Sequence, residues 1–291
     1  MILPNPALLE HLATSRLSFG ADASVGLGER RSAVLGSGLE FSAHRDYRNG
    51  DDTRHLDARL FARHEVPYTR QYIVERQLPI AIIIDASSSM WHGTPDKFSV
   101  AIALAQLFAF VGLAGGDRVE LAVFADDELR WSPRLSGTSR AEWVFSWLAG
   151  QKAQGASAFS KALRMAGSRL SPRSEIIMIS DWWDEDAEKA ITMLGAQGHS
   201  VLVVNLHAPD EIDPPVTSGG RLRLRDVESG AEIEMDLNEA SSNEYQRLLA
   251  EWSDSLRRAC RSSQGHYFHI SSAINVEHFF LRDMRAAGII S

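Results

Sequence analysis

The sequence predicts an α/β protein with a doubly wound, mostly parallel sheet flanked by helices. From Leu78 onward, short apolar runs alternate with stretches of helical periodicity, a pattern typical of strand–helix–strand units. Two of these runs, residues 78–85 and 175–180, are almost continuously apolar, as buried strands are. An aspartate ends the first run and follows the second. Ligands bind at the carboxyl ends of such strands, so this edge of the sheet is the predicted functional site.

Composition and charge narrow the class of protein. The chain has 291 residues, of which 44% are hydrophobic and 23% charged, which indicates a globular protein with a core of ordinary size. The formal net charge of -8 argues against nucleic-acid binding, because a phosphate-binding surface needs an excess of basic residues. The apolar stretches are interrupted or too short to cross a bilayer, and the N-terminus lacks a signal pattern. We therefore expect a cytoplasmic protein without a membrane span.

The single cysteine carries no predicted chemistry. Cys260 has no partner for an internal disulfide or for a CxxC motif. We expect it to be a small apolar side chain on a helix.

Residues 1–77 are predicted to form an N-terminal extension. A helix is expected over residues 6–16, where leucines recur at helical spacing, and glycines follow it. The second half of the extension interleaves arginines with aspartates: Arg45, Arg48, Arg54, Arg59 and Arg63 with Asp46, Asp51, Asp52 and Asp57. This alternation favours an internal ion-pair network over phosphate recognition. The alternative is that the segment binds a partner protein.

Residues 78–291 are predicted to form the sheet domain. Further strands are expected over residues 118–124, 129–131, 200–206 and 267–270, and helices over residues 95–114, 140–148, 159–170, 187–194, 243–261 and 276–287. The helix over 95–114 is apolar almost all round and should be well buried. The strands over 118–124 and 129–131 should form an antiparallel pair at one edge. A β-hairpin over 222–226 and 231–236 is expected as an insertion at about residues 214–240.

Five side-chain oxygens are expected to converge at the edge of this sheet. They belong to Asp85, Ser87 and Ser89 in D-x-S-x-S spacing, to Ser157 in the loop before a helix, and to Asp181. The convergence requires that the strands over 78–85 and 175–180 be neighbours. Hard oxygens, only two of them charged, suit Mg²⁺, with Mn²⁺ or Ca²⁺ as alternatives. Such a site leaves the ion electrophilic, so that it can accept a carboxylate from another molecule.

The alternative interpretation of these residues is local capping. Aspartate and serine after a strand often satisfy free backbone N–H groups, and D-x-S-x-S alone would not separate capping from metal binding. The positions of Ser157 and Asp181 in the α/β pattern make the metal site the favoured hypothesis.

The residues after Asp181 suggest a contact surface. Of Trp182 and Trp183, we expect one to pack under the sheet edge and the other to be an exposed aromatic anchor for a partner, since aromatic residues are enriched in binding hot spots. The acidic run Asp184-Glu185-Asp186 is expected to be the first turn of a helix, where carboxylates are favoured by the helix dipole.

Two sets of motifs resemble known families. The stretch from Asp85 to Ser89, Ser157 within Gly155-Ala156-Ser157, and Ile179-Ser180-Asp181 resemble the metal-ion-dependent adhesion site of a von Willebrand factor A domain, with serine where threonine is usual. The stretches Gly38-Leu39-Glu40-Phe41, Arg45-Asp46-Tyr47, Gly50-Asp51-Asp52-Thr53-Arg54 and Leu56-Asp57 resemble the prokaryotic "domain of unknown function 58" family, although Ala58 replaces the usual tryptophan.

The resemblance implies a fold and a role. It implies that residues 78–291 form a von Willebrand A-like domain of Rossmann-like topology. Members of the second family resemble accessory proteins encoded near MoxR-type AAA+ ATPases, which implies an adaptor or co-chaperone that works with such an ATPase or its client protein.

Two functions remain open from the sequence. The first is a non-enzymatic interaction module in which Mg²⁺ bridges to a partner carboxylate. The alternative is an Mg²⁺-dependent hydrolase in which Asp85 or Ser87 is the nucleophile and Asp181 holds the metal. The alternative lacks an evident general base, because His92 is the only histidine near the motif in sequence. The chain has no phosphate-binding G-x-x-x-x-G-K-[ST] motif.

Overall fold

The chain divides into two compact units. The computed structural model describes residues 4–18, 31–34, 40–75, 77–156, 158–214, 221–225, 232–236 and 239–291. The smaller unit is Ala23–Gln77, and the larger unit combines Met1–Asp22 with Leu78–Ser291. The first 22 residues therefore group with the sheet domain, whereas the sequence assigns them to an extension that runs to residue 77.

The smaller unit contains a three-stranded antiparallel sheet. Its strands are β1 (Arg31–Val34), β2 (Glu40–Asp46) and β3 (Tyr68–Glu75), in the order β1-β3-β2, and its helix is α2 (Ala58–His64). These elements are not predicted from the sequence, where charge alternation is the dominant pattern.

The predicted ion-pair network is confirmed for two arginines of this unit. Arg45 binds Asp51 at 2.8 Å and Arg54 binds Asp52 at 2.6 Å. Asp57 has a further role, because its carboxylate accepts the backbone N–H groups of Arg59 and Leu60 at the start of α2.

The larger unit is built on a six-stranded sheet with the order β11-β8-β7-β4-β5-β6. The strands are β4 (Pro79–Asp85), β5 (Arg118–Ala125), β6 (Glu128–Trp131), β7 (Glu175–Ser180), β8 (Ser200–His207) and β11 (His266–Ser271). All neighbours are parallel except β5 and β6, which form the predicted antiparallel pair at one edge. The doubly wound, mostly parallel fold class is confirmed.

Helices cover both faces of this sheet. They are α1 (Pro6–Leu12), α3 (Lys97–Ala114), α4 (Ala141–Ala149), α5 (Phe159–Gly167), α6 (Ala187–Ala196), α7 (Pro209–Ile212) and α8 (Glu239–Ser262). Alternate residues of β4 enter different cores: Ile82 packs with residues of α1, α3 and α4, whereas Ile83 packs with residues of α5, α6 and α8. The predicted hairpin is formed by β9 (Arg221–Arg225) and β10 (Glu232–Asp236).

Helix α3 is the central helix of one face. It begins after Asp96, whose carboxylate accepts the N–H of Ser99 at 2.8 Å. The helix is long and apolar enough to cross a membrane, and 78% of its 18 residues are buried within the domain. Burial on all sides confirms the prediction from its all-round apolar sequence.

The C-terminal helix differs from the prediction of one helix over 276–287. It is divided into α9 (Val276–His278), a π-helical turn (Phe279–Asp283) and α10 (Met284–Ala286). The wider π turn allows the adjacent side chains of Phe279 and Phe280 both to be buried. Cys260 is buried on α8 as predicted, and burial raises the pKa of its thiol to about 12.

Candidate metal centre

Asp85 lies at the carboxyl end of β4, next to the carboxyl end of β7. The two strands are neighbours with Ile84 opposite Ile179, so the condition for the predicted convergence is met. Ser180 Oγ donates a hydrogen bond to Asp85 Oδ2 at 2.7 Å, and the Ser87 N–H donates to Asp85 Oδ1 at 2.9 Å. Both oxygens of this buried carboxylate are therefore oriented by the ends of the strands.

The two serines of the D-x-S-x-S motif lie together in the turn after β4. Ser87 Oγ is 2.9 Å from Ser89 Oγ, and a 3₁₀ turn (Ser88–Trp91) follows Ser87. Ser87 is buried and Ser89 is partly buried. Their hydroxyls thus form one small cluster of neutral oxygens beyond the end of the strand.

A second loop is attached to the motif by backbone hydrogen bonds. The Ser88 N–H donates to the Gly155 carbonyl at 2.8 Å, and the Gln154 N–H donates to the Ala86 carbonyl at 2.7 Å. Ser157, the predicted third hydroxyl, lies outside the described residues. Gln154 and Gly155, which precede it in the sequence, are held beside Ala86 and Ser88.

Asp181 follows β7 and contacts a lysine that the sequence did not indicate. Asp181 Oδ2 is 2.8 Å from Lys97 Nζ, and the same ammonium is 2.6 Å from Glu211 Oε1. The side chain of Lys97 is fully buried at the first residue of α3, and Asp181 is 3% exposed. The feature of the sequence that could have indicated this contact is a lysine at the start of an otherwise apolar helix.

The electrostatics of this cluster follow from burial and from its carboxylates. Burial, and next the charge of Asp181, raise the pKa of Asp85 well above the ordinary value of an aspartate, against hydrogen bonds from Ser180 and Ser87. Burial disfavours the charged form of Lys97, but the charges of Asp181 and Glu211 outweigh it and raise the Lys97 pKa.

The residues fit a divalent cation in donor type and charge. The Lys97 ammonium pairs with the carboxylates of Asp181 and Glu211, and Asp85 adds a third carboxylate close enough to Asp181 to be affected by its charge, so the cluster has an excess of negative charge when all four groups are ionised. The described residues contain no group of three or more His, Cys, Asp and Glu side chains placed to hold a metal, so serine hydroxyls would have to complete the ligand set. Carboxylate and hydroxyl oxygens are suitable ligands for Mg²⁺.

The two tryptophans after Asp181 have different environments. Trp182 has a positive φ of 60° and is fully buried, and its indole N–H donates to the Val204 carbonyl at 3.0 Å. Trp183 is 47% exposed and stacks on His207, whose Nε2 is 2.9 Å from the Asp181 carbonyl oxygen. The expected division into one packed and one exposed indole is present, and contact with a partner remains a prediction for Trp183.

An apolar groove of about 450 Å³ lies beside the exposed indole. It is lined by Trp183, Asp184, Glu185, Tyr245, Leu248, Leu249 and Trp252. Tyr245 also donates its hydroxyl to the Glu211 carbonyl at 2.5 Å. The groove therefore adjoins the Asp181 cluster through two lining residues. Trp183 follows Asp181 by two residues, and Tyr245 contacts Glu211.

The acidic run after Trp183 differs from its prediction as the first turn of a helix. Helix α6 begins only at Ala187. Asp184 Oδ2 instead accepts the N–H of Ser160 at 2.7 Å, at the start of α5. The free N–H groups of that helix give the carboxylate a partner from another element.

No imidazole contacts the predicted nucleophiles among the described hydrogen bonds. His92 Nε2 lies 2.8 Å from Asp210 Oδ2, and His207 contacts His269 and Asp181. The hydroxyl of Ser89 lies 2.9 Å from Ser87 Oγ, and the side chain of Ser87 also hydrogen-bonds the carboxylate of Asp85.

Known proteins resemble this chain in sequence and in fold. The uncharacterised proteins Rv1480 of Mycobacterium tuberculosis and Mb1516 of Mycobacterium bovis are each 27% identical over 232 residues, which is 77% of this chain and 71% of theirs.

Solved structures are similar at low identity. BatB of Bacteroides thetaiotaomicron matches 72% of this chain and 98% of its own, with 19% identity and a TM-score of 0.48. An aerotolerance-related membrane protein of Bacteroides fragilis matches 72% and 99%, with 20% identity and a TM-score of 0.47. The VWA domain of SpRpn10 matches 72% and 95%, with 10% identity and a TM-score of 0.44.

The family itself is given by a match over most of the chain. The model of "Protein of unknown function DUF58" matches residues 43–254, which include the ion pairs of the smaller unit, both strand-end aspartates and the hairpin. The chain belongs to the DUF58 family.

Proposed function

We propose that this protein is a non-enzymatic, metal-dependent protein–protein interaction module. The observation that supports it is the pairing of two buried carboxylates, Asp85 and Asp181, at the ends of adjacent strands, with the hydroxyls of Ser87 and Ser89 beside them. When bound there, Mg²⁺ would supply positive charge and a coordination position for a carboxylate of another protein.

Each residue of the site has a separate task in this proposal. Asp85 supplies charge from a position fixed by Ser180 and by the Ser87 N–H. Ser87, Ser89 and Ser157 supply neutral oxygens, and Asp181 supplies the second charge. Because few of these ligands are charged, the partner's carboxylate is attracted rather than repelled.

The exposed face of the site suits a protein partner. Trp183 presents an exposed indole two residues after Asp181, and large exposed aromatic side chains often anchor protein interfaces. We propose that Trp183 contacts the same partner that donates the carboxylate.

The partner that we propose is a MoxR-type AAA+ ATPase or its client protein, with this chain as a cytoplasmic adaptor or co-chaperone. This part of the proposal rests on what the resemblance to the family implies. The net charge of -8 is consistent with a protein partner in place of a nucleic acid.

A binding experiment with a matched aspartate variant tests the proposal. Wild type, Asp85→Ala and Asp254→Ala are immobilised, and binding of the purified ATPase is measured with Mg²⁺ and with chelator. Asp254 is an exposed carboxylate paired with Arg257 on α8, so its variant controls for the loss of a charge. We expect binding that requires Mg²⁺ and is lost only in Asp85→Ala. Equal binding by all three proteins in chelator would contradict the metal bridge.

A turnover assay tests the enzymatic alternative. Wild type and Ser87→Ala are incubated with a phosphate monoester and a carboxylic ester in the presence of Mg²⁺. We expect no turnover, and turnover that is lost in Ser87→Ala would establish a hydrolase in place of the interaction module.

A further inference from the structure

We propose that Lys97 is a resident counter-cation of the metal centre, which neutralises Asp181 in the absence of metal and thereby lowers the affinity of the site for divalent cations. This inference rests on the proposed function and adds to it the residue that sets how strongly metal is held. It explains why a partner's carboxylate would be needed for firm binding.

The first argument is the burial of the ammonium group. The side chain of Lys97 is fully buried, and Nζ lies 2.8 Å from Asp181 Oδ2 and 2.6 Å from Glu211 Oε1. A buried charge is costly unless it is paired and hydrogen-bonded. The two carboxylates therefore hold the lysine in place, and the lysine in turn occupies one oxygen of a predicted metal ligand.

The second argument is the position of this lysine in its helix. Lys97 is the first residue of α3, where the partial positive charge of the helix N-terminus disfavours a cation. The helix that follows is apolar and needs no charge for packing. A lysine at this position is thus explained by the carboxylates beyond the helix, not by the helix itself.

The third argument concerns Glu211, the second carboxylate that contacts the Lys97 ammonium. Glu211 Oε2 accepts the Ala208 N–H at 2.7 Å, and the Glu211 carbonyl accepts the hydroxyl of Tyr245. Glu211 is therefore anchored whether or not metal is bound. The ammonium is held between a fixed carboxylate and a metal ligand, so a divalent cation at Asp181 would meet a like charge.

Two lysine variants separate the release of Asp181 from a change in net charge. Lys97→Met removes the ammonium and keeps a long buried side chain. Lys97→Met/Glu211→Gln removes one charge of each sign, so its net charge equals that of wild type. Lys161→Met removes a half-exposed lysine that pairs with Asp127 and is the matched control.

Mg²⁺ affinity is measured by isothermal titration, and the melting temperature is measured in chelator and in Mg²⁺. We expect at least about tenfold tighter Mg²⁺ binding in both Lys97 variants than in wild type. We also expect Lys97→Met to melt at a lower temperature than wild type in chelator and to recover in Mg²⁺, because ligand binding stabilises the folded state. Lys161→Met should match wild type in both measurements.

The outcomes distinguish this inference from the proposed function. If wild type binds Mg²⁺ and the Lys97 variants bind it no more tightly, the counter-cation role is wrong and the metal centre stands. If Lys97→Met is destabilised and Mg²⁺ does not restore it, the lysine is a purely structural residue. If wild type and both Lys97 variants fail to bind Mg²⁺ at millimolar concentration, the inference and the metal-dependent function are both wrong. If Lys97→Met does not fold, the charge-balanced double variant decides the affinity comparison.

Discussion

Ser180 Oγ donates a hydrogen bond of 2.7 Å to Asp85 Oδ2 and accepts one of 3.0 Å from the Trp182 N–H. One hydroxyl therefore joins the last residue of β4 to the backbone that follows Asp181. Ser180 is completely buried, so water cannot replace either bond.

The first prediction is that Ser180→Ala destabilises the protein and weakens metal binding together. Loss of a buried hydroxyl that serves two partners should lower the free energy of unfolding by about 1–3 kcal/mol. Mg²⁺ affinity should fall because Asp85 loses its orientation. Ser255→Ala is the control, since Ser255 Oγ donates to the Trp252 carbonyl within α8. Urea unfolding and Mg²⁺ titration check both effects, and a normal Mg²⁺ affinity in Ser180→Ala would contradict the positioning role.

The second prediction is that Mg²⁺ affinity rises with pH. Burial, then the charge of Asp181, raise the pKa of Asp85 in the folded protein, so protons compete with metal closer to neutral pH than for an ordinary aspartate. Titrations at about pH 5.5 and about pH 8 should show weaker binding at the lower pH.

The sign of the accompanying stability change follows from the same shift. Because the pKa of Asp85 is higher in the folded protein than in the unfolded chain, protonation of Asp85 stabilises the folded state. This contribution to the free energy of unfolding is complete below the unfolded pKa and is lost as pH rises through the folded pKa. The melting temperature in chelator should therefore fall more with rising pH in wild type than in Asp85→Asn. Identical slopes in the two proteins would show that Asp85 titrates normally.

The third prediction concerns the loop that leads to Ser157. Gly155 has a φ of +74°, and a Cβ placed there would lie 1.7 Å from Asp126 Oδ1. Gly155→Ala should therefore strain the loop, by about 1–2 kcal/mol, and displace the carbonyl that accepts the Ser88 N–H.

Gly150→Ala is the matched control for this change. Gly150 has a φ of -81°, and its added Cβ would lie no closer than 3.6 Å to the nearest atoms. Thermal unfolding and Mg²⁺ titration should show an effect only in Gly155→Ala. A stable Gly155→Ala variant with unchanged affinity would mean that the loop adapts without disturbing the motif.

The fourth prediction separates partner contact from folding at the exposed indole. Trp183→Ala should weaken the Mg²⁺-dependent binding of the partner at least about tenfold, as loss of a hot-spot aromatic residue does, with little change in melting temperature. Trp143→Ala is the control, because Trp143 is 40% exposed on α4 and stacks on Trp147. Surface plasmon resonance with both variants measures the difference, and equal losses in the two would argue against a specific role for Trp183.

The sequence was sufficient to predict the sheet and the proximity of its two strand-end aspartates. Continuous apolar runs with terminal aspartates identify β4 and β7, and the rule that polar groups gather at strand ends places Asp85 and Asp181 together. This inference works because both signals are local and repeat along the chain. Whether Asp85, Ser87, Ser89, Ser157 and Asp181 hold metal stays a prediction.

The parts that the sequence did not predict depend on distant contacts. Lys97 reaches Asp181 and Glu211 from 84 and 114 residues away, and nothing beside it in the sequence indicates a carboxylate partner. Asp184 likewise serves α5 instead of the helix that follows it. The strands of the smaller unit were missed because alternating charges obscure the period of two that half-buried strands show.

The short antiparallel strand β6 has a consequence for self-association. It ends one side of the six-stranded sheet with only four residues, Glu128–Trp131, and both Glu128 and Arg130 are exposed. A longer apolar strand at that border would offer unpaired backbone groups to a second molecule, whereas a short charged one makes such pairing unfavourable. At this border the sheet is therefore protected from edge-to-edge pairing with the sheet of a second molecule, and so from growth into fibres.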